Sequence, residues 1–130
     1  MPTVFLNLDN LGFGPPRFFR YEVPLCGLPV AYPPELVNLA IDTARELGLK
    51  DAGPHALPGP TDALSFLTRG MRGISIVSFG KWGFMPSYHR LRDTTEHLDF
   101  DAAWQAVVFG WAILQRIAQE GASKEALRKR

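Results

Sequence analysis

Val4-Phe5-Leu6-Asn7-Leu8-Asp9-Asn10-Leu11-Gly12 opens the chain and sets the reading of its fold. Val4 to Leu8 is β-branched, aromatic or aliphatic at every position but one, the make-up of a strand buried on both faces. Asp9-Asn10-Leu11-Gly12 then brings turn formers, so the strand ends there. Ile74-Ser75-Ile76-Val77-Ser78-Phe79 repeats the signature and predicts a second interior strand. Elsewhere the apolar spacing becomes helical. Pro34-Glu35 opens a helix whose apolar face is Leu36, Leu39, Ala40, Ala44 and Leu47, and Gly48 closes it. Thr61 or Asp62 is placed to cap a short helix over Ala63 to Thr68 that stops at Gly70. A long helix from about Asp101 to Gln119 carries Trp104, Val107, Val108, Trp111, Leu114 and Ala118 on one stripe. Phe109 and Ile113 widen that stripe, so the helix is expected to be largely buried. Strands alternating with helices predict an α/β layer fold, a mostly buried sheet flanked by helices.

The remaining segments fit around these elements. Arg17 to Val23 has the aromatic content of a second, more exposed strand. Pro24 to Pro34 and Asp51 to Pro60 read as loops, because proline removes backbone donors and restricts its predecessor. Gly80 to His97 reads as irregular. Ser123 to Arg130 is expected to fray, its Lys124, Arg128, Lys129 and Arg130 complementing the negative end of the helix dipole.

The composition limits the function classes. The chain has 130 residues, 14 basic and 13 acidic, with 46% hydrophobic positions, which suits one domain over residues 1–130. A net charge of +1 excludes a strongly basic nucleic-acid binder, and the apolar content excludes a disordered tail. Cys26 is the single cysteine, so no disulfide forms within the chain. The longest mostly apolar stretch, Ala102 to Leu114, is 13 residues against the ~20 that a bilayer span needs. Met1-Pro2-Thr3-Val4 lacks the charged and apolar regions of a signal peptide.

Three strings carry polar residues that the apolar pattern does not demand. Asp9 stands at the end of a strand, and in open α/β sheets ligands gather at the carboxyl ends of strands. Beside Asn10 and Gly12 it is equally a turn former. In Tyr88-His89-Arg90-Leu91-Arg92-Asp93-Thr94-Thr95-Glu96-His97-Leu98-Asp99, His89 has the chemistry of a zinc ligand, and the bland alternative is a solvated loop histidine. Asp93 with Glu96 has near capping-box spacing, which reads as local turn structure. His55 and His97 are structural or solvent-exposed. Asp62, in the third string, Pro58-Gly59-Pro60-Thr61-Asp62-Ala63-Leu64-Ser65-Phe66, is a helix cap on its simplest reading.

Taken in order, Leu6-Asn7-Leu8-Asp9-Asn10-Leu11-Gly12, then Thr61-Asp62-Ala63-Leu64-Ser65-Phe66 with Gly70, then Tyr88-His89 with Asp93-Thr94 and Leu98-Asp99, resemble the C-terminal half of the M28-type zinc exopeptidases. Glutaminyl cyclases share that fold. The resemblance runs from Val4 to about Gln119. It implies that Asp9 and His89 are metal ligands, one for each of two zinc ions, and that Asp62, Tyr88 and Asp93 belong to the surroundings of the site. The family's His-x-Asp segment and Glu-Glu pair, which complete the ligand set and supply the general base, lie N-terminal to the Asp9 string. Only eight residues precede Asp9, with no His-x-Asp among them, and no Glu-Glu occurs anywhere in the chain. Thr61-Asp62-Ala63 and Gly70-Met71-Arg72-Gly73 replace the family's frequent Ser-Asp-His and Gly-Ile-Pro-Ala. The resemblance thus implies part of a peptidase domain, acting on peptides in the complete enzyme and inactive alone, with zinc absent or weakly bound. Its partner is expected to be the missing N-terminal half, or a second copy through an uncovered sheet edge or apolar face. The alternative is a non-catalytic peptidase-like module for protein interaction.

Overall fold

The structure is a computed structural model that describes residues 3–24, 26–57, 59–80 and 87–128, with side chains described through residue 121. Residues 81–86 of the expected irregular stretch lie outside the described residues, as do Pro58 and the last two residues of the expected frayed end. Five strands form a mixed sheet: β1 (Val4–Asp9), β2 (Pro16–Glu22), β3 (Val30–Ala31), β4 (His55–Leu57) and β5 (Arg72–Ser78). β1 pairs with β5 in parallel from Val4 opposite Arg72 to Asp9 opposite Val77. β5 pairs antiparallel with β2 through Pro16 to Phe18, and farther along β2 the residues Tyr21 and Glu22 pair with β3 on one side and with β4 on the other. Among the described residues there are also the α-helices α1 (Pro34–Glu46), α2 (Ala63–Leu67) and α3 (Phe100–Arg128), and a 3-10 turn at Thr95–His97. The α/β expectation holds.

Strand alternation sorts the helices onto two faces. Leu6, Leu8 and Ile76 point at α3, where a Cβ on Gly110 would touch all three, and Phe18 packs on Phe109 of the same helix. α1 shares that face, tied to α3 by the ion pair of Glu46 with Arg116. Phe5, on the opposite face, packs against Phe66 of α2 with ring centroids 4.9 Å apart. Gly73 lies beneath Phe5, because any Cβ there would run into the ring.

Helix α1 ends as its sequence predicts. Gly48 adopts φ +68°, its amide donates to the Arg45 carbonyl at 3.1 Å, and the Leu49 amide donates to the Ala44 carbonyl at 2.9 Å. This pair of bonds satisfies carbonyls that the helix end would leave open, and only glycine takes that backbone conformation without cost. The buried face is Leu36, Val37, Leu39, Ala40, Thr43 and Ala44, while Leu47 faces outward.

Four expectations are corrected. β1 is the edge strand, with β5 as its single strand neighbour among the described residues, whereas β2 is interior and buries Phe18 and Phe19 on its two faces. Apolar content reports how greasy a strand is; it does not report how many neighbours it has. The expected loops at Pro24 to Pro34 and Asp51 to Pro60 contribute the short strands β3 and β4, since two or three residues between prolines suffice to pair with β2. α3 continues to Arg128, through residues of good helix propensity such as Ala126 and Leu127. Finally, its expected buried stripe faces out: Trp104 is 66% and Trp111 62% exposed, and Val107, Val108 and Leu114 are exposed as well. Ala102, Ala106, Phe109, Gly110 and Ile113 face the sheet instead. The helix bears two apolar stripes, and the one with Ala106 and Gly110 lets the backbone come close to β1 and β5. No helix among the described residues is long and apolar enough to cross a membrane.

Candidate functional site

Three alternate residues of β1 point to the α2 face and do different jobs. Phe5 anchors on Phe66, Asn7 donates from Nδ2 to Ser75 Oγ at 3.1 Å, and Asp9 ends the strand. Burial pushes the Asp9 carboxyl above the ordinary carboxylate range, the nearby charge of Asp62 adds to this, the Asn10 amide opposes it, and Glu22 adds a further smaller push. Asp9 and Asp62 are therefore brought into one electrostatic neighbourhood at the carboxyl end of β1. The Asp62 side chain makes no capping bond to α2. Thr61 does that work: its Oγ1 accepts from the Ala63 amide at 3.2 Å.

Beneath Asp62 lies a buried polar network that the sequence reading missed. Glu22, with 0% of its surface exposed, accepts from the Thr61 amide on Oε2 at 2.9 Å and from Thr61 Oγ1 on Oε1 at 2.5 Å. The Tyr32 hydroxyl donates to the same Oε1 and lies 2.7 Å from Ser75 Oγ. Burial, and then the bond to Glu22, hold the Tyr32 phenol above its ordinary range. A buried carboxylate is tolerated only where donors satisfy it, and here Tyr32, just after β3, and Thr61, in the turn before α2, supply them, with Ser75 of β5 bonded in turn to Tyr32. The signal in sequence was slight: a lone acid ending an otherwise aromatic strand.

The late string returns to the same end of the sheet through its last residues. The Asp99 amide donates to the Gly12 carbonyl at 2.9 Å, and Asp99 Oδ1 accepts from the Ala102 amide at 3.0 Å, capping α3. His89 is exposed, stacks on Tyr88 with centroids 3.9 Å apart and has φ +55°. A histidine in the left-handed region is uncommon, and such positions cluster at functional sites. Asp93 is exposed, its amide donating to the Arg90 carbonyl at 2.9 Å within a local turn. His97-Leu98-Asp99 has His-x-Asp spacing that the sequence reading passed over. Its members are engaged locally, His97 Nδ1 with Thr94 Oγ1 at 3.1 Å and Asp99 as the cap. His55 Nε2 lies 2.8 Å from the Asp51 carbonyl.

Among the described residues no three His, Cys, Asp or Glu side chains are grouped so as to hold a metal ion. A catalytic zinc normally takes three protein ligands and keeps a position for water, so these residues alone do not fit a self-contained zinc centre.

No curated protein and no solved structure matches the chain. The model of peptidase family M28 matches residues 3–112, a span that takes in all three strings and most of α3's contact with the sheet. This chain belongs to peptidase family M28.

Proposed function

We propose that the chain contributes one part of the site of a zinc-dependent exopeptidase of the aminopeptidase type, with Asp9 and His89 as metal ligands and Asp62, Tyr88 and Asp93 around them. The observation that supports this reading is that the second and the third string each reach the first, one through the charge of Asp62 on Asp9 and the other through the bond of Asp99 to Gly12. A carboxylate that is partly buried and feels the charge of a second carboxylate gains from a nearby cation, which suits Asp9 to a ligand's role. The other ligands and the general base come, on this reading, from a polypeptide that carries the family's His-x-Asp and Glu-Glu segments. Removing a positioned general base costs about 10²- to 10⁴-fold in rate, so the chain alone is expected to be inactive.

The test is hydrolysis of amino-acid p-nitroanilides with added zinc, by the chain alone and by the chain joined to such a polypeptide. Turnover is expected in the joined form only, and is lost in Asp9→Asn and in His89→Ala. Turnover by the chain alone, or by a joined form that carries both substitutions, contradicts the reading.

A further inference from the structure

Two neighbouring residues compete to cap α2, and the outcome decides where a carboxylate stands. An aspartate caps a helix at least as well as a threonine, so local chemistry alone would give the task to Asp62. Thr61 performs it instead. Its Oγ1 accepts from the Ala63 amide at 3.2 Å, while Asp62 has the helical backbone angles φ −58° and ψ −25° and makes no capping bond. The difference comes from Glu22. Fully buried, Glu22 accepts from the Thr61 amide on Oε2 at 2.9 Å and from the Thr61 hydroxyl on Oε1 at 2.5 Å. For Asp62 to cap, its backbone would have to turn to the extended angles of a cap residue, which would pull Thr61 off Glu22. A buried carboxylate would then be short of two donors, a loss greater than any gain from a better cap.

The same network reaches the strand that carries Asp9. As a carboxylate Glu22 only accepts, so Tyr32 donates its one hydroxyl proton to it, and the 2.7 Å contact between Tyr32 and Ser75 is a donation from the serine hydroxyl. Ser75 Oγ in turn accepts from Asn7 Nδ2 at 3.1 Å. The donors thus point one way, from β1 to Glu22, and every hydroxyl is used. Asn7 stands two residues before Asp9 on the same face of β1. Ser75 Oγ also lies 3.2 Å from Thr61 Oγ1, so a single serine oxygen separates the Asn7 side chain from the residue that precedes Asp62.

We propose that Glu22 is a positioning residue, whose hold on Thr61 keeps the Asp62 carboxylate off the helix and beside Asp9. The inference rests on the reading of Asp9 and Asp62 as parts of one site, and deepens it: a buried acid that touches neither sets the spacing of two acids nearer the surface. The charge of Asp62 felt at Asp9 is the mark of that placement. Carboxylates held at a fixed spacing need no rearrangement when a positive group arrives.

Urea unfolding of the 130-residue chain at pH 7 tests this without metal or substrate. Asp9→Asn and Asp62→Asn relieve the same repulsion, so the two together are expected to gain about threefold less in the folding constant than the product of the single gains. In Glu22→Leu, which fills the buried volume but offers no acceptor, that shortfall is expected to vanish, because Asp62 is free to cap α2 and its charge leaves Asp9. Thr61→Val exchanges the hydroxyl for a methyl group, keeps Glu22, and is expected to abolish the shortfall in the same way. It decides the matter if Glu22→Leu does not fold. A residue that only stabilises the fold lowers every member of the set by one factor and leaves the shortfall as it was. Single gains that simply multiply in the parent chain overturn the proposal, as does a shortfall that survives in Thr61→Val or in folded Glu22→Leu. Turnover of the p-nitroanilides decides the peptidase reading separately, since the unfolding set involves neither zinc nor peptide.

Discussion

The amide of Asp99 donates to the carbonyl of Gly12 across 2.9 Å, so the residue that caps the last helix also closes the loop behind Asp9. Gly12 adopts φ +94°, and a Cβ there would stand 3.2 Å from Leu98. Gly12→Ala is expected to cost about 1–2 kcal/mol, the penalty of a side chain in the left-handed region. Urea unfolding measures it, and a neutral result would mean that the loop adapts freely.

Glu22→Ala removes the acceptor of three hydrogen bonds, a buried one from Tyr32 and two partly buried ones from Thr61. Stranded donors cost ~1–3 kcal/mol each where water does not reach them, so a loss of about 3 kcal/mol or more is expected, with Glu22→Gln milder because its amide keeps one acceptor. The comparison of the two variants in urea checks this.

Asp9 gives stability a definite pH dependence. Its folded-state pKa lies above the ordinary 3.8, so the folded chain holds this proton more tightly than the unfolded chain. The stabilisation is present in full below the unfolded value and is lost as pH rises through the raised one. Asp9→Asn is therefore expected to be more stable than the parent at pH 7, with the gain shrinking to nothing near pH 3. Thermal melts across that range measure the difference, and a gain independent of pH would assign it to something other than this proton.

Gly73→Ala sets a methyl group against the Phe5 ring, which itself rests on Phe66. Overpacking of this kind costs typically ~1–3 kcal/mol. Combined with Phe5→Leu, the total loss is expected to fall short of the sum of the two single losses, because the smaller side chain makes room. Strict additivity would show that the two residues do not press on each other.

The elements were legible where local chemistry decides them. Gly48 ends α1 because its backbone geometry has few other occupants, and Ile74 to Phe79 sits in the interior as its side chains demand. Neighbour relations were not legible. The composition of Val4 to Leu8 is that of a central strand, yet the strand stands at an edge, while Phe18-Phe19 marks the interior strand by burying adjacent residues on opposite faces. On α3 the eye follows Trp104 and Trp111, the larger side chains, although the small Ala106 and Gly110 set the closer approach. Of the site, the charge of Asp62 reaches Asp9, and this was not legible in a string whose simplest reading made Asp62 a helix cap. Glu22 escaped notice because its donors come from Tyr32 and Thr61, 10 and 39 positions away, and no spacing rule links them.

The central claim, that Asp9 and His89 are metal ligands, is tested most directly by following ring and carboxylate resonances of the labelled chain by NMR while zinc is added. The account predicts that the signals of His89 and Asp9 move together, with a midpoint weaker than about micromolar because fewer than three ligands are present. It predicts that the His89 shift disappears in Asp9→Asn, and that His55 and His97, held by the Asp51 carbonyl and by Thr94, stay in place. Shifts that begin at His55 or His97, or a His89 signal that responds equally well without the Asp9 carboxylate, would contradict it.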